Sequence, residues 1–514
     1  MRVLHVSAEL YPWVKTGGLG DVAAALPPSL ARLGVDTRLV LPGFRGFLDA
    51  FRPTDVARIA TPFAAERVRV GVTELPGGEG TAYLVDHPSF YDRPGNPYAA
   101  PDGRDWADNH RRFALFGWIA AALARGLDAQ WRPDILHGHD WHAGLAPAYL
   151  KAEPPSAGPV PTVFTIHNLA YQGFFPAALF SDLALPARFY SVEGVEFYGG
   201  LAFMKAGLYY ADRLTTVSPT YAREIQTPAF GVGLDGLLRT RAGVLSGILN
   251  GVDPRFWSPE QDAALPQPYG VMSFLPGKEA AKAALQQRLG LDPDAAAPLF
   301  GAVTRLTSQK GLDLLLASLP GLVARGGRLA LLGSGDADLE RGFAEAKAAH
   351  PGRVGVELGY DEELAHLVIA GSDIVVVPSR FEPCGLTQLY ALRYGSLPLV
   401  RRVGGLADTV VDATAATLAD ATATGFAFDE ENAQGLLGAA ARAIELFAEP
   451  AQWRRVMRRA MTRDFSWEAA ARQYVELYRA LLPNGEISAE PALPAEDGAG
   501  RDVAFCGLDL GTVV

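Results

Sequence analysis

Lys15-Thr16-Gly17-Gly18-Leu19-Gly20-Asp21-Val22 follows a short apolar run, Val3, Leu4 and Val6, that ends at Ser7-Ala8-Glu9. Behind it comes a helical pattern of apolar residues, Leu19, Val22, Ala23, Leu26, Leu30 and Leu33, stopped by Gly34 and followed by Leu39-Val40-Leu41. This is a strand–loop–helix–strand unit, and its loop falls where open parallel sheets bind ligands. Gly17 and Gly18 let the backbone bend sharply and let a ligand approach. The free N–H groups of the next helix suit an anion there, and Lys15 adds a mobile positive charge. The loop is neither a dinucleotide fingerprint, lacking G-x-G-x-x-G, nor a P-loop, lacking Gly-Lys-Ser/Thr. A glycine-permitted turn with a solvated lysine is the bland alternative, and the rest of the chain decides between the two.

The same alternation continues. Strands are expected at 68–72, 82–85, 135–137, 163–166 and 214–217, and helices at 112–124, 143–150, 203–210 and 219–225. Residues 91–105 and 174–198 read as irregular excursions. Prolines 254, 259, 266, 268 and 276 crowd the stretch after Gly251, as a connector would. Strands then restart at 300–303, 329–332, 354–358, 374–377 and 397–400, with helices at 312–324, 338–349, 362–370 and 386–394. Two successive α/β domains with mostly parallel sheets follow, and the cleft between them is the default binding site. Further helices are read around Trp453–Ala460 and from Trp467 to Leu482. A loose tail rich in Pro, Ala, Glu and Gly is expected from Pro483.

At 514 residues the chain is too long for one ordinary core. Its 46 Lys and Arg against 57 Asp and Glu give a net charge of −11, so no nucleic-acid partner is expected and any anionic ligand needs a local cation cluster. Two cysteines, Cys384 and Cys506, supply neither a disulfide framework nor a cysteine zinc site. No apolar run reaches membrane-spanning length and no signal peptide is read, so a cytoplasmic, reducing location is the expectation.

Four further stretches carry candidate chemistry. Thr304-Arg305-Leu306-Thr307-Ser308-Gln309-Lys310-Gly311 opens the second domain as the Lys15 loop opens the first, and a planar fork beside a point charge suits a diphosphate. Ser379-Arg380-Phe381-Glu382-Pro383-Cys384-Gly385-Leu386-Thr387 ends a strand and opens a helix, so the N–H groups of 385–387 face any anion held there. Glu382, beside such an anion, should face a sugar hydroxyl, and Cys384 reads as a packed thiol. His137-Gly138-His139-Asp140-Trp141-His142 matches no H-E-x-x-H or zinc-finger spacing, so no metal is expected. Asp140 beside Trp141 fits carbohydrate better, a carboxylate for hydroxyls and an aromatic face for sugar C–H groups. Thr165-Ile166-His167-Asn168 brings a histidine and an amide to the same sheet edge. Gly231-Val232-Gly233-Leu234-Asp235-Gly236 matches G-x-G-x-x-G literally, but no strand precedes it; it reads as a flexible loop, not an NAD site.

Taken in order, Lys15-Thr-Gly-Gly-Leu, His139-Asp-Trp-His-Ala-Gly-Leu, Thr165-Ile-His-Asn-Leu-Ala-Tyr-Gln-Gly, Asn250-Gly-Val-Asp, Arg305-Leu-Thr-Ser-Gln-Lys-Gly and Pro378-Ser-Arg-Phe-Glu-Pro-Cys-Gly-Leu-Thr-Gln give the chain a resemblance to the bacterial glycogen synthases, retaining glucosyltransferases related to plant starch synthases. The resemblance runs from Met1 to about Leu482. It implies an α/β protein of two Rossmann-like domains facing across a cleft, the GT-B type: residues 1–250 on the acceptor side, 251–465 holding the nucleotide sugar, and 466–482 crossing back onto the first domain. It implies transfer of glucose from ADP-glucose to the non-reducing end of an α-1,4-glucan such as glycogen, with no metal and no other cofactor.

By position, the resemblance makes Arg305, Lys310 and the amides of Cys384, Gly385, Leu386 and Thr387 a diphosphate cradle, reached by Lys15 and Gly18 from the other domain. It makes Tyr360 the adenine-stacking aromatic and Glu382 the carboxylate orienting the donor glucose. His167 falls where the family contacts the reacting sugar, and Asn250 and Lys282 at donor-cleft positions. Glu9, Tyr98, Asp140, Trp141 and Asn168 are acceptor-side candidates. Many related transferases carry a second glutamate eight residues after the first; here Tyr390 stands there, as in the glycogen and starch synthase branch, which leans towards ADP-glucose over UDP-glucose. A double displacement needs a carboxylate nucleophile, for which Glu9, Asp140 and Glu382 all stand open. The family's alternative is a same-face substitution in which the leaving phosphate takes the acceptor's proton. A non-catalytic glucan-binding homologue would have lost the three cations, and a phosphorylase-like enzyme would need a pyridoxal phosphate lysine, nominally Lys15, Lys310 or Lys205.

Overall fold

A computed structural model describes residues 1–482. The expected tail from Pro483, and Cys506 with it, lies outside the described residues. The first half builds a nine-stranded sheet with the spatial order Leu245–Gly247, Arg213–Thr216, Thr162–Ile166, Ile135–His139, Arg2–Val6, Asp36–Pro42, Thr81–Asp86, Ala64–Glu74 and Thr54–Thr61. All neighbours pair parallel except the last two pairings, which are antiparallel. The second half builds a six-stranded, all-parallel sheet in the order Val354–Leu358, Arg328–Gly333, Leu299–Val303, Ile374–Val377, Leu397–Arg401 and Phe426–Phe428. The central strand Ile374–Val377 is apolar throughout because helices cover both faces, and in Arg2–Val6 the buried apolar run is interrupted by His5.

The first helix, Gly18–Arg32, runs through Pro27 and Pro28, which its sequence alone would argue against. Packing accounts for this: Val22, Ala25, Leu26 and Leu30 form one apolar cluster with Trp467, Ala470, Ala471, Tyr474, Val475 and Tyr478 of the C-terminal helix, Trp467–Arg479. That helix therefore lies on the first domain, although the chain reaches it from the second. The two crossings run side by side. Val252 N–H donates to Phe465 O (2.8 Å), and a Cβ on Gly251 would stand 2.4 Å from the Trp467 nitrogen.

Local readings fail in four places. Residues 174–198 are not wholly irregular, since Phe174–Pro176 and Glu196–Phe197 flank Gly200–Ala202 in a small antiparallel sheet. Asp235 and Gly236 begin a helix, Asp235–Thr240, so the last two residues of the literal G-x-G-x-x-G are helical rather than part of a flexible loop. Pro276 belongs to a helix, Phe274–Leu289, whose first turn tolerates it; the connector ends before it. Ala433–Phe447 forms a helix that covers the second sheet with Leu436, Ala439, Ala440, Ala443 and Leu446, a regular apolar stripe that its small residues make faint.

Candidate active site

The Lys15 loop is held by Glu9. This buried carboxylate accepts the Thr16 hydroxyl (2.6 Å) and the Tyr98 hydroxyl (2.6 Å) on Oε1, and the Thr16 and Gly17 amides (2.8 and 3.3 Å) on Oε2. Both oxygens of Glu9 and the hydroxyl of Tyr98 are thereby engaged in shaping the loop. Gly17 is extended at φ −161°, so it supplies no sharp bend. What it and Gly18 supply is space: a Cβ at either position would meet nothing within 4 Å. Lys15 Nζ lies 2.8 Å from Asp21 Oδ1 and 5.0 Å from the Tyr11 ring centre.

Lys15, Asp21 and Tyr11 line a cavity of about 200 Å³ between the domains, faced from the second half by Tyr360, Glu362, Leu386, Thr387 and Tyr390. Tyr360 is 84% exposed there. Tyr390, by contrast, is stacked on Trp257 at 3.9 Å, and Trp257 on His366 at 3.9 Å. His366 and Tyr394 both bind the Asp262 carboxylate (2.7 and 2.5 Å). The position that carries a second glutamate in related transferases is thus spent here on packing.

Arg305 is exposed. Lys310 Nζ lies 2.6 Å from Glu382 Oε2, to which Ser379 Oγ also donates (2.9 Å). The Lys310 ammonium thus stands directly on the Glu382 carboxylate and offsets its charge. Gly385 has φ +72° and Gly404 φ +45°, and a Cβ on Gly404 would stand 2.0 Å from the Glu382 carbonyl oxygen, so glycine is required where these loops cross. Cys384 is buried and burial pushes its thiol up to about 12, which suits packing and not attack. Asn250 is buried, its backbone amide facing the Cys384 sulfur.

Lys282 does not reach the cleft, and its donor-site assignment is corrected. Its ammonium bonds the Asp373 carboxylate (2.7 Å) and the carbonyls of Ala295 and Ala297 (2.9 and 2.8 Å), tying the helix Phe274–Leu289 to the sheet. Lys205 is similarly occupied by the carbonyls of Val192 and Glu196.

The histidines regroup. His142 stacks on Tyr98 at 4.6 Å, away from the other two of its motif. His137 and His139 join His5 instead, with ring nitrogens within 4.8 Å of one another. His137 is taken up by the Tyr478 and Thr165 hydroxyls (2.7 and 2.6 Å), while His5 and His139 hydrogen-bond each other (3.1 Å) and His139 continues to His167 (3.0 Å). Asp140 has φ +57° and accepts the amides of His167 (2.7 Å) and Asn168 (3.4 Å); burial pushes its carboxyl up to about 7. Asn168 Oδ1 accepts the Ala170 amide (3.0 Å). Trp141 is packed against Phe113 (4.7 Å), and a Cβ on Gly173 would lie 2.3 Å from its ring, so it braces the loop rather than offering an open platform. The sequence reading missed Tyr11, Asp21 and Glu362 at the cleft and His5 beneath it; the one signal for His5 is a polar residue inside an otherwise apolar strand.

Two parallel-sheet domains, a cleft between them and helix-opening loops from both halves at that cleft define a two-domain glycosyltransferase of the GT-B type. Residues 2–240 match the starch synthase catalytic domain family and residues 287–459 the glycosyl transferases group 1 family. The chain is 52% identical over 485 residues to a glycogen synthase of Francisella tularensis subsp. novicida, covering 94% of this chain and 99% of that one. It is 54% identical over 495 residues to one of Albidiferax ferrireducens, covering 95% and 100%. It therefore belongs to the glycogen synthase family. Its fold is similar to the catalytic domain of starch synthase IV from Arabidopsis thaliana bound to ADP and acarbose, with TM-score 0.83 and 33% identity over 93% of this chain and 99% of that one. A sucrose-phosphate synthase from Thermosynechococcus elongatus shares the fold at TM-score 0.57 and 19% identity, over 93% and 98%.

Proposed function

We propose that the protein elongates glycogen, transferring glucose from ADP-glucose to the non-reducing end of an α-1,4-glucan with retention and releasing ADP. The observation that carries this reading is the shared cleft, lined by Lys15 from the first domain and by Tyr360, Leu386 and Thr387 from the second. In this reading Tyr360 stacks on the adenine, and the 385–387 amides, Arg305, Lys310 and Lys15 take the diphosphate. Lys15 and Lys310 rest on Asp21 and Glu382, and each can exchange part of that pairing for phosphate oxygens.

Catalysis then consists of charge stabilisation on the departing ADP together with positioning. The leaving phosphate takes the acceptor's proton as the new bond forms on the same face. Glu9, with both oxygens occupied, is a poor nucleophile, and Glu382, paired with Lys310, is better suited to orienting the donor hydroxyls. The cations can serve the role that a divalent metal serves elsewhere, so no metal requirement is proposed. The deciding experiment is transfer to glycogen from ADP-glucose and from UDP-glucose, each before and after exhaustive chelation. Preference for UDP-glucose would reject the donor, no transfer from either would reject catalysis in favour of glucan binding alone, and a loss restored by Mg²⁺ or Mn²⁺ would reject the metal-free reading. Cytoplasmic location is part of the same proposal, since among the described residues no helix is long and apolar enough to cross a membrane.

A further inference from the structure

Three imidazoles form a hydrogen-bonded chain from the core to the half-buried end of strand Thr162–Ile166. His5 Nδ1 lies 3.1 Å from His139 Nε2, and His139 Nδ1 lies 3.0 Å from His167 Nε2. His5 and His139 are 1% exposed, whereas His167 is half-buried at the sheet edge. Burial holds all three neutral: His5 and His167 are each lowered to about 3, and His139 falls well below the usual imidazole value. A neutral imidazole carries one N–H, so the central ring can donate in one direction only. If His139 donates to His5, the His5 proton must sit on Nε2, which is buried and has no partner among the described residues. If His139 donates to His167, His5 donates from Nδ1, and its buried Nε2 is a bare lone pair. An orphaned buried N–H is the rarer of these two outcomes in folded proteins. The second arrangement also leaves the His167 proton on Nδ1, which has no protein partner among the described residues.

We propose that His5 and His139 are positioning residues, forming a directed relay that fixes His167 as an Nδ1–H donor aimed into the cleft. The His167 backbone is clamped independently, through its amide, by Asp140 Oδ1. Ring and main chain are thereby held by two successive residues, His139 and Asp140, at the end of the neighbouring strand, which leaves His167 little freedom to rotate or change tautomer. An N–H presented there serves an oxygen of the bound hexose or of the leaving group, where negative charge grows. The functional half of this inference rests on the glucosyl-transfer reading; the tautomer half does not.

The test separates the two. The ¹⁵N resonances of His167, recorded on the ligand-free full-length protein with labelled histidine, should show a protonated Nδ1 and a bare Nε2. The reverse pattern, or a rapidly exchanging mixture, overturns the relay whatever the enzyme turns over. The variants then test its use. His139→Asn keeps a donor near the Nδ1 position, and His139→Leu removes it. Removing the outer partner that orients a metal-bound histidine costs roughly 10–100-fold, and a hydrogen bond orienting this ring should be worth a similar factor. We expect a kcat loss of that size in His139→Leu, a smaller one in His139→Asn, and little change in KM for the donor in either. His5→Phe, which keeps a ring against His137, should mix the His167 tautomers and lower kcat at nearly unchanged melting temperature. Equal kcat losses in the Asn and Leu variants that merely follow their melting temperatures, with the His167 resonances unmoved in His5→Phe, would reduce both residues to packing and end the proposal.

Discussion

Lys15, Arg305 and Lys310 differ in their resting partners, and this difference sets what their loss should do. Lys15 rests on the partly exposed Asp21 carboxylate and Lys310 on the buried Glu382 carboxylate, while Arg305 is exposed. Surface ion pairs contribute little stability, so Lys15→Ala and Arg305→Ala should leave the melting temperature nearly unchanged, whereas Lys310→Ala leaves Glu382 buried with Ser379 as its remaining donor and should lower it. In the proposed reading each cation supplies a preorganised positive charge to the leaving group, and removing such a donor costs about 10²–10³-fold in kcat. Steady-state kinetics of the three variants check this, and near-normal turnover in all of them would remove the diphosphate assignment. Asp140 offers a pH test of the opposite kind, because it bears on stability. Its carboxyl rises from 3.8 to about 7 on burial. Between those values the folded protein holds a proton that the unfolded chain has released, so stability falls as pH rises through the window and stays lower above it. Asp140→Asn keeps an oxygen for the His167 and Asn168 amides, tolerates φ +57° and does not titrate. Its melting temperature relative to wild type should therefore climb from about pH 4 to about pH 7 and level off, within a limit of a few kcal/mol. A pH-independent difference would mean that the carboxyl is not buried as described.

At the scale of elements, Lys282 separates architecture from ligand binding. It joins one helix to two carbonyls and to Asp373, whose carboxylate also accepts the Leu299 amide. Lys282→Met leaves that carboxylate buried and unpaired, which costs roughly 3–5 kcal/mol. Urea unfolding should show this loss, while KM for the donor in the folded variant stays as in wild type; a raised KM at unchanged stability would return Lys282 to the cleft. The case also shows what the sequence could carry. Long apolar strands and their following helices are periodic, so residues 203–210, 312–324 and 374–377 come out at their observed limits. Loops that end strands in a parallel sheet converge by topology, so the Lys15, Arg305 and Glu382 motifs could be placed at one cleft from their order alone. The direction of a side chain within a helix beside that cleft is set by tertiary packing, and nothing local distinguishes a lysine facing phosphate from one facing Asp373. Glu9 is legible for the same reason only as a carboxylate at a strand end; that it spends all its acceptors on Thr16, Gly17 and Tyr98 depends on a loop ninety residues away.

For the whole molecule, the question is how the halves meet. Two short helices cap each other across the gap: Asp408 accepts the Thr220 amide and hydroxyl (2.8 and 2.6 Å), and Glu224 accepts the Gly404 amide (2.9 Å). On the other side of the cleft Tyr11 reaches Glu362 at 3.4 Å. Tyr11 also meets Phe256 edge to face (5.3 Å) and Arg255 pairs with Glu79; the contacts across the gap are few and partly solvated. Partly solvated hydrogen bonds contribute on the order of 1 kcal/mol each, so the protein should close only modestly in favour of this state without ligand. If Lys15 and Lys310 hold the diphosphate as proposed, a cradle split between the domains is complete only when shut, and shutting expels the water that would hydrolyse an activated glucose. The paired crossings at Gly251–Val252 and Phe465–Trp467 are the narrow points about which such motion can turn. Asp408→Ala removes both bonds to Thr220 without touching the cleft cations. In solution scattering the ligand-free variant should have a larger radius of gyration than wild type. ADP with a malto-oligosaccharide should bring both proteins to the same smaller value, the variant requiring more ligand because part of the binding energy now replaces the lost cap. If wild type is already closed when free, the variant alone will contract. If neither contracts at saturation and the two ligand-free radii agree, the domains do not move, and the split cradle must be explained by a permanently closed cleft.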